Sequence, residues 1–244
     1  MTEISRRIWL KNVGAASAGS AFVLSAQSAR VAPPNGAIVP RTSTSDIFVP
    51  PRGRSFQKFS FDFPEPSVAF EGYEFGFRVF THENTYGLSA SRLAVTTVDR
   101  GLDITCSELV WAGGQERIAA RLTARLSRTS GGDIECAATA EMNRPVKAVS
   151  MILRGIPRGR ISAGGAPFFD PRDDEVLLGY PFSGGDLFGP QGNGGLTTPL
   201  VLVQPQADAI VALSCLDDRV RTKRFYFQPG DGGYRVEALV EAEG

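Results

Sequence analysis

Apolar and polar residues alternate along most of this chain. The stretch FQKFSFDF places Phe59, Phe61 and Phe63 at every second position, and YEFGFRVF continues the alternation from Tyr73 to Phe80. A period of two puts the apolar side chains on one face of an extended segment, so both stretches are predicted to be β-strands. Further strands are predicted at 93–98, 102–111, 146–153, 175–180, 199–204, 209–216, 220–228 and 234–241.

The segment ERIAARLTARLSR fits two different periods. Ile118, Leu122 and Leu126 recur every four residues, as on a helix, and Ala, Arg and Leu have high helix propensity. The same segment also alternates without a break, and Gly-Gly pairs stand on both sides of it at hairpin spacing. Because residues 134–142 repeat the alternation, we predict a three-stranded meander over about 101–143.

The meander makes a prediction about the cysteines Cys106, Cys136 and Cys215. Cys106 and Cys136 would lie two strand spacings apart, about 9–10 Å. A disulfide requires Cα atoms closer than about 7 Å, so no bond between these two is expected. None of the cysteines belongs to a CxxC pair, and each lies in an apolar run. We therefore predict small buried hydrophobic side chains rather than metal ligands.

The composition supports a β-rich fold and excludes several classes of function. The 244 residues include 27 Gly and 16 Pro between short apolar runs, which indicates many strands and turns in an antiparallel β-sandwich. Lys plus Arg equal Asp plus Glu at 26 each, so nucleic acid and anionic membranes are not expected partners. With His82 as its one histidine, the chain cannot build a site from several imidazoles, and no cofactor or metal motif is present.

The N-terminal stretch SRRIWLK resembles the twin-arginine export motif. The apolar run after it, roughly 13–24, is shorter than the about 20 residues that a membrane span needs. Small residues at Ala26 and Ser28 suit cleavage after Ser28. We predict a signal peptide over 1–28, delivery to the periplasm or the cell exterior, and no membrane attachment after cleavage. The alternative is a first helix of the fold.

Two further segments complete the predicted organisation. Residues 29–55 carry five prolines with little periodicity, and they are predicted to form an extended tether or a strap on the surface. Residues 56–244 are predicted to form the β-sandwich domain.

Four stretches carry a resemblance to a known family: FTHENTYGL, ELVWAGGQER, RPVKAVSMILRGIPRG and VALSCLDDRVRTKRFYF. Together they resemble the amino-terminal, galactose-mutarotase-like supersandwich domain of exported bacterial proteins related to glycoside hydrolases. The resemblance covers about 56–243 and implies an adjacent (β/α)8 catalytic domain as a partner. A barrel needs about 250 residues, so the chain is expected to be a fragment or a sandwich that acts alone. Mutarotase activity is not expected, because that family uses more than one histidine.

Aromatic residues at predicted strand ends suggest a carbohydrate-binding face. Sugars present flat C–H faces to aromatic rings, and ligand sites combine such rings with a few polar groups. The alternatives are core aromatics that close the ends of the sandwich and an incidental histidine in a turn. The candidate binding residues are Trp111, Tyr180, Phe182, Asp186, Asn193 and His82.

Charged clusters provide weaker candidates. The loop at 170–175 carries four carboxylates, two of which would suit a glycosidase acid–base pair, although a solvated acidic loop is the simpler interpretation. Arg219, Arg221 and Lys223 are predicted to share a solvated sheet face paired with Glu237 and Glu241.

The sequence therefore predicts an exported, non-catalytic β-sandwich module that binds carbohydrate or supports a catalytic barrel. The alternatives are a small carbohydrate-active hydrolase that uses the loop carboxylates, with catalytic residues unknown, and a purely structural sandwich.

Overall fold

The computed structural model describes residues 6–14, 32–47, 59–111, 114, 116–171, 175–180, 198–217, 219–230 and 232–242. Within these ranges the chain is almost entirely extended, with one 3-10 turn at Ala90–Arg92. The predicted all-β, antiparallel, sandwich-like fold is confirmed. The strands are β1 (Arg6–Gly14), β2 (Ile38–Val39), β3 (Thr42–Ile47), β4 (Phe59–Pro64), β5 (Ser67–Phe70), β6 (Tyr73–Phe80), β7 (Thr85–Leu88), β8 (Leu93–Val98), β9 (Gly101–Trp111), β10 (Arg117–Arg128), β11 (Ile134–Met142), β12 (Ala148–Ile156), β13 (Arg160–Ala163), β14 (Val176–Tyr180), β15 (Leu200–Gln206), β16 (Ala209–Cys215), β17 (Lys223–Gly230) and β18 (Gly233–Glu241).

Sixteen of these strands form one curled sheet. Its main order is β13-β15-β16-β1-β11-β10-β9-β7-β6-β12-β18-β17-β14, with β5 and β8 paired to β6 and β9 and with β2 paired to β5. Every pairing is antiparallel, and β3 and β4 form a separate two-stranded ribbon. Because the sheet curls, strands that are distant in its order contribute to one apolar core.

That core contains side chains from both halves of the sheet. Phe77, Leu122, Val203 and Phe225 all belong to the same buried cluster. Each such side chain contributes about 1.5–3 kcal/mol on leaving water, so burial in this shared core is the main force that keeps the sheet curled.

The predicted meander is confirmed as β9, β10 and β11. In β10 the residues Leu122, Ala124 and Leu126 are buried at every second position while Arg121 and Arg125 are exposed, so the period of two prevails over helix propensity. The cysteines follow the same alternation: Cys106 and Cys136 are buried thiols on β9 and β11, two strands apart. The third, Cys215, is also a buried thiol.

Several short strands were missed by the sequence analysis. β7 and β13 have only four residues each, too few for a period to be recognised. β2 and β3 lie in the Pro-rich segment, where prolines conceal strand pairing. β1 lies inside the predicted signal peptide and pairs with both β11 and β16, so it is a strand rather than the alternative first helix. Export itself stays a prediction.

Strand direction divides the sheet into two ends. At the first, which we call the turn end, β5, β8 and β10 finish while β6 and β9 begin. At the second, the rim end, β6, β9, β14 and β18 finish while β7, β10, β12 and β17 begin.

Candidate functional site

A cleft of about 760 Å³ opens at the turn end, where four turns meet. Its volume lies within the range that small-molecule sites occupy, about 300–1,000 Å³. The cleft, named here the turn-end cleft, is lined by Asn35, Phe70, Glu71, Thr97, Val98, Arg100, Gly101, Leu102 and residues 128–132.

Two residues of this cleft have left-handed backbones although they are not glycines. Glu71 has φ 50° and Arg100 has φ 53°. Each lies in a tight two-residue connection, between β5 and β6 and between β8 and β9, where turn geometry calls for positive φ. A side chain in this region costs about 1–2 kcal/mol relative to the right-handed form. The fold therefore places a carboxylate and a guanidinium at positions where glycine or asparagine would be cheaper.

The Glu71 carboxylate is held by two neighbouring turns. Asn35 Nδ2 donates to Glu71 Oε1 at 3.1 Å, while the Glu71 backbone N–H donates to Asn35 Oδ1 at 2.8 Å. Arg128 Nη1 donates to Glu71 Oε2 at 3.3 Å. Both ends of this ion pair remain partly exposed, at 56% for Arg128 and 30% for Glu71, so the pair is accessible from the cleft.

The position of Arg100 depends on a close backbone contact behind it. A Cβ on Gly101 would lie 2.1 Å from the Leu126 carbonyl oxygen, so only glycine allows β9 to begin this close to β10. The Arg128 N–H then donates to the Arg100 carbonyl at 2.8 Å. Arg100 is exposed, and its guanidinium has no hydrogen-bond or ion-pair partner within the part of the chain that the structure describes, which leaves its donors available to a ligand.

The cleft combines polar groups with an apolar floor. Phe70 and Leu102 are buried beneath it, 3% and 1% exposed. Two guanidiniums, one carboxylate and one carboxamide surround this floor, and guanidiniums bind carboxylate or phosphate groups through paired charge-assisted hydrogen bonds. The arrangement suits a polar ligand that carries a negative group.

Polar side chains at the rim end are bound to one another instead. Arg144 donates from Nη1 to the Tyr86 hydroxyl at 2.7 Å and from Nη2 to Glu116 Oε1 at 2.8 Å. The Tyr86 hydroxyl donates to Glu116 Oε2 at 3.3 Å, which closes a triangle of three side chains. Its groups are therefore occupied by structural hydrogen bonds.

Two of the predicted carbohydrate-binding aromatics close the core at the rim end. A row of successive register partners crosses seven strands and links them in the order Tyr180, Lys223, Val240, Val149, Val79, Tyr86 and Trp111. The row places Tyr180 and Trp111 six strand spacings apart along the curled sheet, and both rings pack against the core. His82 is exposed just after β6. The remaining candidates, Phe182, Asp186 and Asn193, lie outside the residues that the structure describes.

The predicted solvated row of basic residues is wrong at Lys223. This side chain is 1% exposed, with Nζ 3.2 Å from Asp217 Oδ2 and 5.2 Å from the Tyr180 ring centre. The strand begins only at Lys223, so alternation does not extend back to Arg219 and Arg221. Arg221 instead pairs with Asp217 at 2.6 Å. Arg224 does pair with Glu241 on the adjacent strand.

A second charged cluster is buried on the outer face of β6, β12 and β18. Arg78 Nη2 and Arg235 Nη2 each lie 2.9 Å from Glu65 Oε1, and Arg154 contacts the same carboxylate. Ser150 donates to Glu237 Oε1 at 2.7 Å. Burial alone would raise the pKa of Glu65, but the three guanidiniums lower it far below the usual range. This cluster explains why Glu237 does not reach the basic residues with which it was predicted to pair.

The acidic loop offers little geometry for catalysis. Asp170 is 83% exposed and lies 3.8 Å from Arg160 Nε. Glu175 precedes β14, and residues 172–174 lie outside the described ranges. Among the residues that the structure describes, no group of three or more His, Cys, Asp or Glu side chains is placed to hold a metal ion.

Comparison with known proteins identifies no relative: no family model, no curated protein and no solved structure matches this chain. Of the helices in the described part of the chain, none has the length and apolar character to cross a membrane.

The sequence analysis missed the turn-end cleft, although local signals for it exist. FEGYEF and VDRGLD each place a charged residue before a glycine between alternating runs, which is a hairpin signal. A hairpin signal locates a turn along the chain but does not show which turns meet in space. The cleft forms from four turns that are spread over about 100 residues of the chain, from Asn35 to Gly132.

Proposed function

We propose that this protein is an exported carbohydrate-binding module and that its turn-end cleft binds a saccharide carrying a carboxylate. The observation that carries the proposal is the pair of strained residues, Glu71 and Arg100, which carry opposite charges and line the cleft together. Strained non-glycine residues concentrate where function requires them.

Charge and exposure favour an acidic ligand. The described lining residues include two guanidiniums, those of Arg100 and Arg128, and one carboxylate, Glu71, which pairs with Arg128. One guanidinium is thus left to pair with a ligand carboxylate, while Asn35, Thr129 and Ser130 supply donors and acceptors for hydroxyl groups. A glycosidase needs two carboxylates about 5–10 Å apart, so binding suits these described lining residues better than hydrolysis.

Export is supported by the SRRIWLK motif and by the cysteines. The twin-arginine route carries proteins that have already folded, and a chain with three buried thiols and no disulfide suits folding in a reducing cytoplasm. Replacing both arginines by lysines, Arg6→Lys and Arg7→Lys, is expected to leave the full chain in the cytoplasm when fractions are assayed by immunoblot. Unchanged export of this variant would refute the route.

Calorimetric titration tests the ligand class. We expect an alginate tetrasaccharide, which carries a carboxylate on every ring, to bind more tightly than neutral cellotetraose. Arg100→Ala is expected to weaken alginate binding about tenfold, because a hydrogen bond to a charged group contributes about 1.5–3 kcal/mol. The matched control is Arg125→Ala, an exposed arginine on the same strand as Arg128. It pairs with Asp103, and neither residue is among the lining residues of the cleft.

Four outcomes would count against the proposal. Equal affinity for both oligosaccharides would show that the ligand carboxylate is not recognised. Equal losses of affinity in Arg100→Ala and Arg125→Ala would show that the cleft is not the binding site. Cleavage of either oligosaccharide, followed by chromatography, would favour the alternative of a hydrolase. If neither binds, support of an adjacent catalytic domain becomes the better hypothesis.

A further inference from the structure

Strand β1 separates two cysteines that share its register. The Cα of Ile8 is the register partner of Cys136 on β11 and also of Cys215 on β16. Because β1 is antiparallel to both neighbours, β11 and β16 run parallel to each other. The two cysteines thus stand at the same height on either side of one intervening strand.

Both cysteine side chains point into the same core. Cys136 is 3% exposed and Cys215 is 4% exposed, and both belong to the main apolar cluster. Two strand spacings place their Cα atoms about 9–10 Å apart, beyond the limit of about 7 Å for a disulfide. The strand between them is therefore what prevents this bond.

We infer that loss of Arg6–Gly14 with the export signal allows β11 and β16 to pair directly, so that Cys136 and Cys215 form a disulfide in the exported protein. This inference rests on the proposed export and cleavage of the N-terminal segment.

Removal of β1 leaves a gap between β11 and β16, and closing this gap is energetically favourable. The facing edges of β11 and β16 would each lose a row of backbone partners, and unpaired edges invite association with other chains. The gap would also expose buried apolar residues such as Ile134, Ala138, Val211 and Leu213. Closing it by one strand spacing buries these residues again and restores the ladder.

Closure also gives the cysteines suitable geometry. Directly paired strands lie about 4.8 Å apart, within the Cα separation of about 4.4–6.8 Å that disulfides span. The residues keep the same height, because both are aligned with Ile8. Both side chains already face one side of the sheet.

The reaction requires an oxidant that is itself a disulfide. Cys136 and Cys215 together lose two protons and two electrons as their sulfur–sulfur bond forms, and the oxidant is reduced to two thiols. In the presence of β1, burial raises the pKa of the Cys136 thiol well above its ordinary value, so little reactive thiolate is available. Exported compartments supply disulfide oxidants, whereas the cytoplasm does not.

Cys106 is expected to remain a thiol. It lies two strands from Cys136 on the other side of β10, and its Sγ donates to the Glu108 carbonyl at 2.9 Å. It therefore serves as an internal reference in thiol counting.

The test compares the full chain with a full chain in which β1 cannot pair. In Ile8→Pro/Trp9→Pro, one backbone donor to each neighbouring strand is removed. Both proteins are incubated with oxidised glutathione, labelled with a maleimide mass tag and mapped by peptide mass spectrometry. We expect the parent chain to keep three thiols, and the variant to form the Cys136–Cys215 bond at least tenfold faster and to keep Cys106 as a thiol. Chain 29–244, the predicted mature form, is expected to behave like the variant.

Controls separate folding, export and disulfide formation. Adding Cys136→Ser to the proline variant or to chain 29–244 should abolish the bond. Arg6→Lys/Arg7→Lys should stop export yet leave the thiol pattern of the purified full chain unchanged, so failure of the export proposal is seen separately. The inference would be overturned if the proline variant and chain 29–244 both retained three thiols, or if the bond formed to Cys106. It would also be overturned if the parent formed the Cys136–Cys215 bond as fast as the variant, or if the variant formed a dimer in which Cys136 and Cys215 stay reduced.

Discussion

Two ion pairs, one near each end of the sheet, differ sharply in how deeply they are buried. At the rim end, Asp217 and Lys223 are almost fully buried and bound to each other, so their charges contribute to the fold. At the turn end, Glu71 and Arg128 are partly exposed around an open cleft. Exposed pairs contribute little stability, about 0–1 kcal/mol, whereas breaking a buried pair costs about 3–5 kcal/mol. Ligand binding is therefore best sought at exposed charged groups that contribute little to the stability of the fold.

The largest expected difference between the ends is in stability. Asp217→Asn leaves Lys223 buried without its counter-charge, and we expect the free energy of unfolding to fall by about 3 kcal/mol or more. The turn-end equivalent, Glu71→Gln, is expected to cost less than about 1 kcal/mol, because its pair is exposed. Urea unfolding followed by fluorescence measures both. Equal losses would remove the distinction between the ends.

Glycine substitutions provide a smaller, steric contrast. Gly101→Ala at the turn end forces backbone atoms apart and is expected to cost about 2–3 kcal/mol. A Cβ at Gly114, at the rim end, would meet no atom of the described residues within 4 Å. Its φ of 72° is unfavourable for alanine, however, so Gly114→Ala is expected to cost about 1 kcal/mol. Thermal or urea unfolding distinguishes these values. A larger loss at Gly114 would mean that the rim turn is the more constrained of the two.

Acid is expected to weaken the ion pairs that Asp217 makes at the rim end. Burial raises the pKa of Asp217, but hydrogen bonds from Arg221 and Lys223 outweigh this and lower it from 3.8 to about 2. Since the folded pKa lies below the unfolded one, the stabilisation is complete above about pH 4 and is lost as pH falls towards 2. The measurement is urea unfolding from pH 6 to 2.5, compared with Asp217→Asn. The variant should show a shallower decline, and an identical pH profile would exclude Asp217 as its source.

The smallest expected effect concerns ligand binding by the rim aromatics. Trp111→Ala and His82→Ala are expected to change alginate affinity by less than twofold, whereas Arg100→Ala weakens it about tenfold. Calorimetry on each purified variant provides the comparison, with circular dichroism to confirm folding. Loss of binding in Trp111→Ala alone would place the binding site at the rim end, with the aromatic residues that the sequence indicated.

The sequence predicted the strands well because most of them have one face in the core. Residues 117–128 illustrate this, since alternation identified a strand against helix propensity. The sequence analysis failed where a strand is short, as at β7. It also failed at β1, because those residues matched an export motif and were assigned to a signal peptide. Residues of the turn-end cleft were not found, because Asn35, Glu71, Arg100 and Arg128 meet only through the order of the strands. Lys223 was misplaced because a long polar side chain can be buried when a carboxylate lies beside it.

The position of β1 has a consequence for the order in which the protein is made. Its two neighbours, β11 and β16, end at Met142 and Cys215. Residues 6–14 are therefore synthesised well before both of their partner strands exist. During that interval, roughly ten seconds or more at 5–20 residues per second, the N-terminal segment is available to any factor that recognises extended chain. The same pairing that completes the sheet thus sets a time window in which the N-terminus can be captured.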